Sequence, residues 1–262
     1  MSDTVVKAAN VSVFRNGVEI LRELDFSVRQ SEHTFILGPN GAGKTTLVKL
    51  LLGHLYPACG GTLEVLGRVF GKSDIRELRR HIAVASPLLT EFSTPEQTGL
   101  ETVLSGIDQA MGIFRKYSAS EKENALTQLE KFNCTHLADR KFSEMSSGEQ
   151  IRVLIARALV SFPELLILDE PSVFLDPSGR EKLLTELNDL PEKNPGMTML
   201  FITQRTEDIL PIFKHGILLS GGRIFDSGAA EDLLTEEKLS DVFGIRMKLV
   251  SGANQRLWSI CS

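Results

Sequence analysis

The chain has 262 residues, with 29 Lys and Arg against 34 Asp and Glu, for a formal net charge of −5. Its 42% hydrophobic content is ordinary for a globular protein, so a sizeable core can form and global disorder is excluded. The acidic balance excludes a nucleic-acid binder working by bulk positive charge, and no apolar stretch reaches the roughly 18 residues that a membrane span requires. Met1-Ser2-Asp3-Thr4 lacks the basic-then-apolar order of a signal peptide. Cys59, Cys134 and Cys261 are odd in number and far apart, so they read as buried or surface thiols rather than a disulfide framework or zinc site. A soluble cytoplasmic protein of one large domain or two small ones is expected.

In chain order, Val5 to Phe14 and Val18 to Val28 predict two strands joined by Arg15-Asn16-Gly17, an Asn-Gly hairpin turn. His33 to Leu37 is an apolar run entering a Gly-rich loop, and Leu47, Leu50 and Leu51 give helical spacing over Thr45 to Gly53. Thr62 to Leu66 and His81 to Ala85 read as strands, with a short charged helix around Asp74 to Arg80 whose Arg76, Arg79 and Arg80 suit a solvated face. Thr94 to Met111 and Ser120 to Phe132 predict helices of an inserted segment. Glu149 to Leu159 predicts a further helix, Leu165 to Leu168 a strand buried on both faces, Glu181 to Leu190 a helix and Met197 to Thr203 another buried strand. Gly216 to Ser220 and Arg223 to Phe225 flank a Gly221-Gly222 turn. Arg246 to Val250 and Arg256 to Ile260, around Ser251-Gly252-Ala253-Asn254, predict a C-terminal hairpin in which Trp258 packs in a core.

Two stretches carry chemistry. Gly38-Pro39-Asn40-Gly41-Ala42-Gly43-Lys44-Thr45 satisfies G-x-x-x-x-G-K-[ST] between an apolar strand and a helix. Glycines let backbone N–H groups turn inward as an anion cradle, and the helix opening at Lys44 aims its positive end at the phosphates. Lys44 reaches the β- and γ-phosphates in this pattern, and the Thr45 hydroxyl is a Mg²⁺ ligand. The competing reading is a Gly-rich turn with an exposed lysine. Leu165-Leu166-Ile167-Leu168-Asp169-Glu170 is four apolar residues ending in two acids. At the carboxyl end of a parallel strand, Asp169 is placed to hold Mg²⁺ and Glu170 to act as general base on a water. Alone, the same pair could be two solvated acids starting a loop.

With Met145-Ser146-Ser147-Gly148-Glu149-Gln150 just upstream of that acidic strand, the sequence resembles the ATP-binding-cassette (ABC) ATPases over about residues 5–240. The resemblance implies an α/β P-loop NTPase fold: a mostly parallel sheet, an N-terminal antiparallel β part and an inserted helical subdomain. It places the ATP-binding domain at 1–245, the helical insertion at about 86–150 and a β-hairpin appendix at 246–262. It implies ATP contacts by Gly38 through Thr45 and by Thr46, with Phe14 stacking on adenine. Ser146, Ser147, Gly148 and Glu149 would serve the γ-phosphate of a partner subunit's ATP, and Leu175-Asp176 resembles the family's D-loop. Taken by itself, Ser146 to Glu149 is a capping box, compatible with that role. The expected partners are a second ABC subunit, in a homo- or heterodimer around two ATP molecules, and a separate membrane permease; neither nucleic acid nor a span of its own is expected.

Two positions depart from the family pattern. Ser86-Pro87 stands where a glutamine usually follows the strand before the insertion, and Gln97 lies too far along to replace it. Gln204 stands where a histidine usually ends the later buried strand; its amide can donate to phosphate but cannot become cationic. With Lys44, Asp169 and Glu170 intact, a slow but real ATPase powering a permease is expected. The alternative is a soluble, weakly hydrolysing regulatory or interaction module. A phosphoryl-transferring kinase would leave the signature helix unexplained.

Overall fold

The computed structural model describes residues 3–87, 89, 96–110, 112–252 and 255–261, the Arg76 side chain excepted. Leu88, the Thr94 and Met111 ends of one predicted helix, and the Ala253-Asn254 part of the predicted turn lie outside the described residues. The elements are β1 (Thr4–Arg15), β2 (Val18–Arg29), β3 (Thr34–Leu37), α1 (Lys44–Leu51), β4 (Thr62–Val65), β5 (Arg68–Val69) and α2 (Ile75–Arg79). There follow β6 (Ile82–Ala85), α3 (Gly99–Ser105), α4 (Ala119–Lys131), α5 (Ser147–Leu159), β7 (Leu165–Asp169), α6 (Pro177–Asn188) and α7 (Leu190–Lys193). The chain ends with β8 (Thr198–Thr203), β9 (His215–Ser220), β10 (Arg223–Ala229), α8 (Ala230–Leu233), α9 (Glu236–Phe243), β11 (Met247–Ser251) and β12 (Leu257–Cys261). These fall into two compact units, residues 1–79 with 195–262, and residues 80–194.

In the first unit, β1 and β2 form a long antiparallel hairpin in which Arg15 faces Val18. Asn16 and Gly17 both have positive φ (51° and 78°), the backbone that a two-residue hairpin turn of this twist demands. β1 continues into an antiparallel pairing with β4, and β4 with β5. β3 lies between β8 and β9, parallel to both, and all four of its residues are buried. A strand enclosed in this way cannot alternate polar and apolar, which is why 34–37 reads as a continuous run. Phe201 of β8 is fully buried and stacks on Phe213 with ring centroids 5.1 Å apart.

Three features differ from expectation in this unit. Arg79 is not on a solvated face: its guanidinium donates to the carbonyls of Leu52 (3.1 Å) and Gly53 (3.0 Å), closing the end of α1. Those carbonyls lack intrahelical partners, and a fork of N–H donors satisfies two at once. Residues 230–243 carry no predicted element yet form α8 and α9; Thr235 caps α9 and Gly244, at φ 68°, ends it. Trp258 is half-buried rather than core, because a two-stranded hairpin can cover only one of its faces; the Arg256 guanidinium lies 5.0 Å from its ring.

In the second unit β6 and β7 pair in parallel, Ala85 opposite Leu168, and β7 is buried along its whole length. α5 buries Ile151, Val153, Leu154 and Ile155. Capping boxes set the starts of the two helices of 96–131: α3 is shorter than its predicted segment, whereas α4 matches its prediction to within one residue at each end. Thr98 and Glu101 cap α3, which begins at Gly99, and Ser118 and Glu121 cap α4. Arg157 on α5 is buried and donates to Ser105 Oγ (3.0 Å) and the Ala110 carbonyl (2.7 Å).

The stacked pair in the β8 core gives a direct stability test. Phe201→Ala removes a fully buried ring and should cost about 3–5 kcal/mol in urea unfolding; a loss under about 1 kcal/mol would contradict this packing.

Candidate nucleotide-binding site

Gly38 to Thr45 joins β3 to α1. Gly38 has no room for a side chain, since a Cβ there would collide with the Leu219 carbonyl. Gly43, the N-cap of α1, has φ 104°, and a Cβ on it would approach Leu21 Cδ2 to 2.6 Å. Both positions therefore require glycine, one for close approach and one for hand. The loop is fixed from outside: Gly222 N donates to the Ala42 carbonyl (3.1 Å), and Arg22 N donates to the Gly222 carbonyl (2.8 Å).

Lys44 is the first residue of α1 and is 6% exposed. Its ammonium donates to the carbonyls of Gly38 (2.8 Å) and Pro39 (3.0 Å), so the cation folds back over its own loop. Thr45 is exposed and Thr46 half-buried on the first turn; Asn40 and Gly41 lie on the open side of the loop, where Ala42 is buried. No acidic residue occupies that turn.

Gln204 belongs to the same neighbourhood. Leu37 is the register partner of Thr203, and Gly38 N donates to the Thr203 carbonyl at 3.4 Å. Gln204 thus leaves β8 beside the point where the phosphate loop leaves β3. Phe14 lies near the hairpin end of β1 opposite Glu19 and is 53% exposed, so it is not a core aromatic.

The second unit carries the acids and the signature. Asp169 ends β7 and is 5% exposed. Glu170 follows with φ 50°, a left-handed conformation that costs a non-glycine residue of order 1–3 kcal/mol and turns the chain sharply out of the strand. The β6–β7 register sets Ser86, itself buried, level with Asp169.

Ser146 caps α5 as the capping-box reading expected. Its hydroxyl accepts from Glu149 N and donates to Glu149 Oε2 (2.9 Å), which also accepts from Ser146 N (2.8 Å). The Ser146 backbone N–H holds the Glu149 carboxyl below the ordinary carboxylate range. Ser147 and Gly148 open the helix, with Ser147 exposed. Asp176 caps α6, accepting from Gly179 N at 2.8 Å. Sequence reasoning passed over Arg152, which ties the signature helix to α6. It donates to Glu186 Oε2 (2.8 Å) and to the carbonyls of Gly148 (3.2 Å) and Gly179 (3.3 Å). The signal for it was only its place one turn below Gly148, which no local pattern singles out.

The sequence profile of the family described as ABC transporter matches residues 21–173, more than half of the chain. The chain belongs to the ABC ATPase family. A Bacillus subtilis relative, the uncharacterized ABC transporter ATP-binding protein YlmA, is 39% identical over 240 residues, covering 91% of this chain and 90% of that protein. Among solved structures, a chain of an ABC transporter in an inward-facing conformation superposes with TM-score 0.81 at 27% identity, covering 99% of this chain and 98% of that one. A dimeric ATP-binding cassette in a post-hydrolysis state, bound to ADP and Pi, superposes with TM-score 0.72 at 26% identity over 86% of this chain and 98% of that one.

The chain is therefore an ATP-binding and ATP-hydrolysing cassette that powers a separate membrane permease. Nothing in these relatives favours the soluble interaction module. No helix among the described residues is long and apolar enough to cross a membrane.

The signature cap yields a pH-dependent test. Glu149→Ala should lower stability by about 1 kcal/mol at pH 7. Because the folded state depresses the Glu149 pKa, this contribution is present above the ordinary carboxylate range and fades as pH falls through the lowered value. Urea titrations of both proteins at pH 7 and below pH 4 should show the gap closing; a gap independent of pH would sink the carboxylate cap.

Proposed function

We propose that one ATP is held by the loop Gly38, Pro39, Asn40, Gly41, Ala42, Gly43, Lys44, Thr45 and Thr46, with Phe14 stacked on adenine. The observation that carries this reading is the loop itself: a Gly-rich connection at a helix N-terminus with the Lys44 ammonium lying across its own carbonyls. A nucleotide's β- and γ-phosphates would take the ammonium from those carbonyls.

The Thr45 hydroxyl and the Asp169 carboxylate are hard oxygen donors of the kind Mg²⁺ prefers, and the burial of Asp169 suits a carboxylate that meets a cation. When bound, Mg²⁺ would neutralise charge on the phosphate oxygens. Glu170 acts as general base: it takes a proton from water, whose oxygen bonds to the γ-phosphorus as the bond to the β–γ bridging oxygen breaks, giving ADP and phosphate. Gln204 donates its amide N–H to the γ-phosphate but, being neutral, stabilises the developing charge less than a cation would.

The amides of Ser147 and Gly148, with Ser146, Glu149 and Asp176, serve the nucleotide of a second ABC subunit, so that two ATP molecules are sandwiched in the dimer. ATP closes that dimer and hydrolysis opens it, driving the permease. The helical insertion at about 86–150 is the docking segment for the permease, and residues 246–262 form an appendix to the ATP-binding domain at 1–245. This places the cassette at the cytoplasmic face of the membrane. Gln204, and Ser86-Pro87 in place of a glutamine, make turnover slow.

Phosphate release by the purified chain tests this reading. Lys44→Ala should fall to background, and Glu170→Gln should lose about 10²- to 10⁴-fold. Gln204→His should raise turnover; an unchanged or lower rate would remove Gln204 as the limiting feature. Glu170→Gln with ATP should elute as a dimer in size-exclusion chromatography, and a persistent monomer with ATP bound would count against the sandwich.

A further inference from the structure

The hairpin β11–β12 pairs with no other strand among the described residues, yet it is tied to the rest of its unit at both ends. At the base, Met247 N donates to Ser240 Oγ (2.9 Å) and Leu249 N donates to Glu236 Oε1 (2.9 Å), both on α9. At the turn end, Gly252 N donates to the Arg256 carbonyl (2.9 Å), which fixes the backbone from which Arg256 reaches out. The Arg256 side chain is 4% exposed, and its Nε donates to the Glu207 carbonyl at 2.7 Å. Taking a guanidinium out of water is costly unless fixed acceptors meet its N–H groups, so a buried arginine stays where such acceptors are.

Glu207 lies in a single 3₁₀ turn, Thr206–Asp208, which begins two residues after Gln204. The run between is short and internally bonded. Arg205 N donates to Thr203 Oγ1 (3.1 Å), Asp208 N to the Arg205 carbonyl (3.3 Å) and Ile209 N to the Thr206 carbonyl (3.1 Å). Thr206 and Asp208 are buried, so the turn has little room to move. Gln204 therefore has a support on each side: the β8–β3 register before it, and the turn held by Arg256 after it. A neutral amide acts through a directional hydrogen bond, which weakens steeply when misaligned, whereas a cation also acts through a field of longer reach. A glutamine at this place depends on its supports more than a histidine would.

We infer that Arg256 is a positioning residue for ATP hydrolysis: from the C-terminal hairpin it holds the Thr206–Asp208 turn and thereby aims the Gln204 amide. This gives the hairpin a part in turnover, although it holds none of the nucleotide-binding motifs. The inference rests on the role of Gln204 given above.

Phosphate release by the full chain, with kcat and KM for ATP measured separately, tests this in a double-mutant cycle. Gln204→Ala should lower kcat about tenfold, the order of one lost hydrogen bond. Arg256→Ala should lower kcat by a similar factor with KM for ATP changed less than about twofold. Arg256→Lys, which keeps one cationic donor on a long stem, should recover part of the loss. Added to Gln204→Ala, Arg256→Ala should cost nothing further. An equal loss from Arg256→Ala in both backgrounds, or no loss in the unaltered chain, overturns the positioning role. If Arg256→Ala brings the thermal midpoint below the assay temperature, the same cycle with Arg256→Lys decides by the same two outcomes. An unchanged kcat in Gln204→Ala overturns the role of Gln204 itself, and the inference with it.

Discussion

What this chain does with a nucleotide depends on a single turn of backbone, from β3 into α1. The chain must pass the Leu219 carbonyl too closely for any side chain at Gly38, then take a left-handed step at Gly43 before the helix can start. Only then can α1 start at Lys44, whose ammonium folds back onto the Gly38 and Pro39 carbonyls. The turn is braced by the β9–β10 connection through Gly222 and by β2 through Arg22 and Leu21. The surrounding sheet is in this sense a mould for one loop: β8 and β9 hold β3 straight, and β3 delivers Gly38 to a fixed place.

The signature segment is organised by a different interaction, the reciprocal cap between Ser146 and Glu149. A capped helix normally has its first amides engaged or solvated, whereas here the cap consumes the Ser146 and Glu149 N–H groups and leaves those of Ser147 and Gly148 to point outward. Structural and functional readings of the same four residues are compatible because they draw on different hydrogen-bond donors. Arg152 then fastens the first turn to α6, so the orientation of that helix start depends on a side chain one turn further on.

Much of this was legible in advance where the chemistry is local. The Asn16-Gly17 turn, the glycine-lysine loop and the apolar run ending in Asp169-Glu170 each state their conformation in consecutive residues, and the structure places them accordingly. The start of α3 was misjudged because the Thr98–Glu101 capping box, which sets the boundary at Gly99, was not read from the sequence. Arg79 was misjudged because its partners, the carbonyls of Leu52 and Gly53, lie 27 and 26 residues away in sequence. Trp258 illustrates the same limit: an aromatic in a strand is core only when something covers both faces of its sheet. Gln204 needed both kinds of information. Its identity is local, but its placement beside the loop comes from the parallel register of β8 on β3.

That register has an electrostatic consequence. Strand partners are fixed by hydrogen bonds in steps of one residue, with Leu37 opposite Thr203. Were β8 to slip by one position toward its own start, Arg205 would stand where Gln204 now leaves the strand. A permanently charged guanidinium would then replace a neutral amide next to the phosphate loop. A backbone alignment buried in the middle of a sheet thus decides whether the residue beside the Gly-rich loop is neutral or cationic.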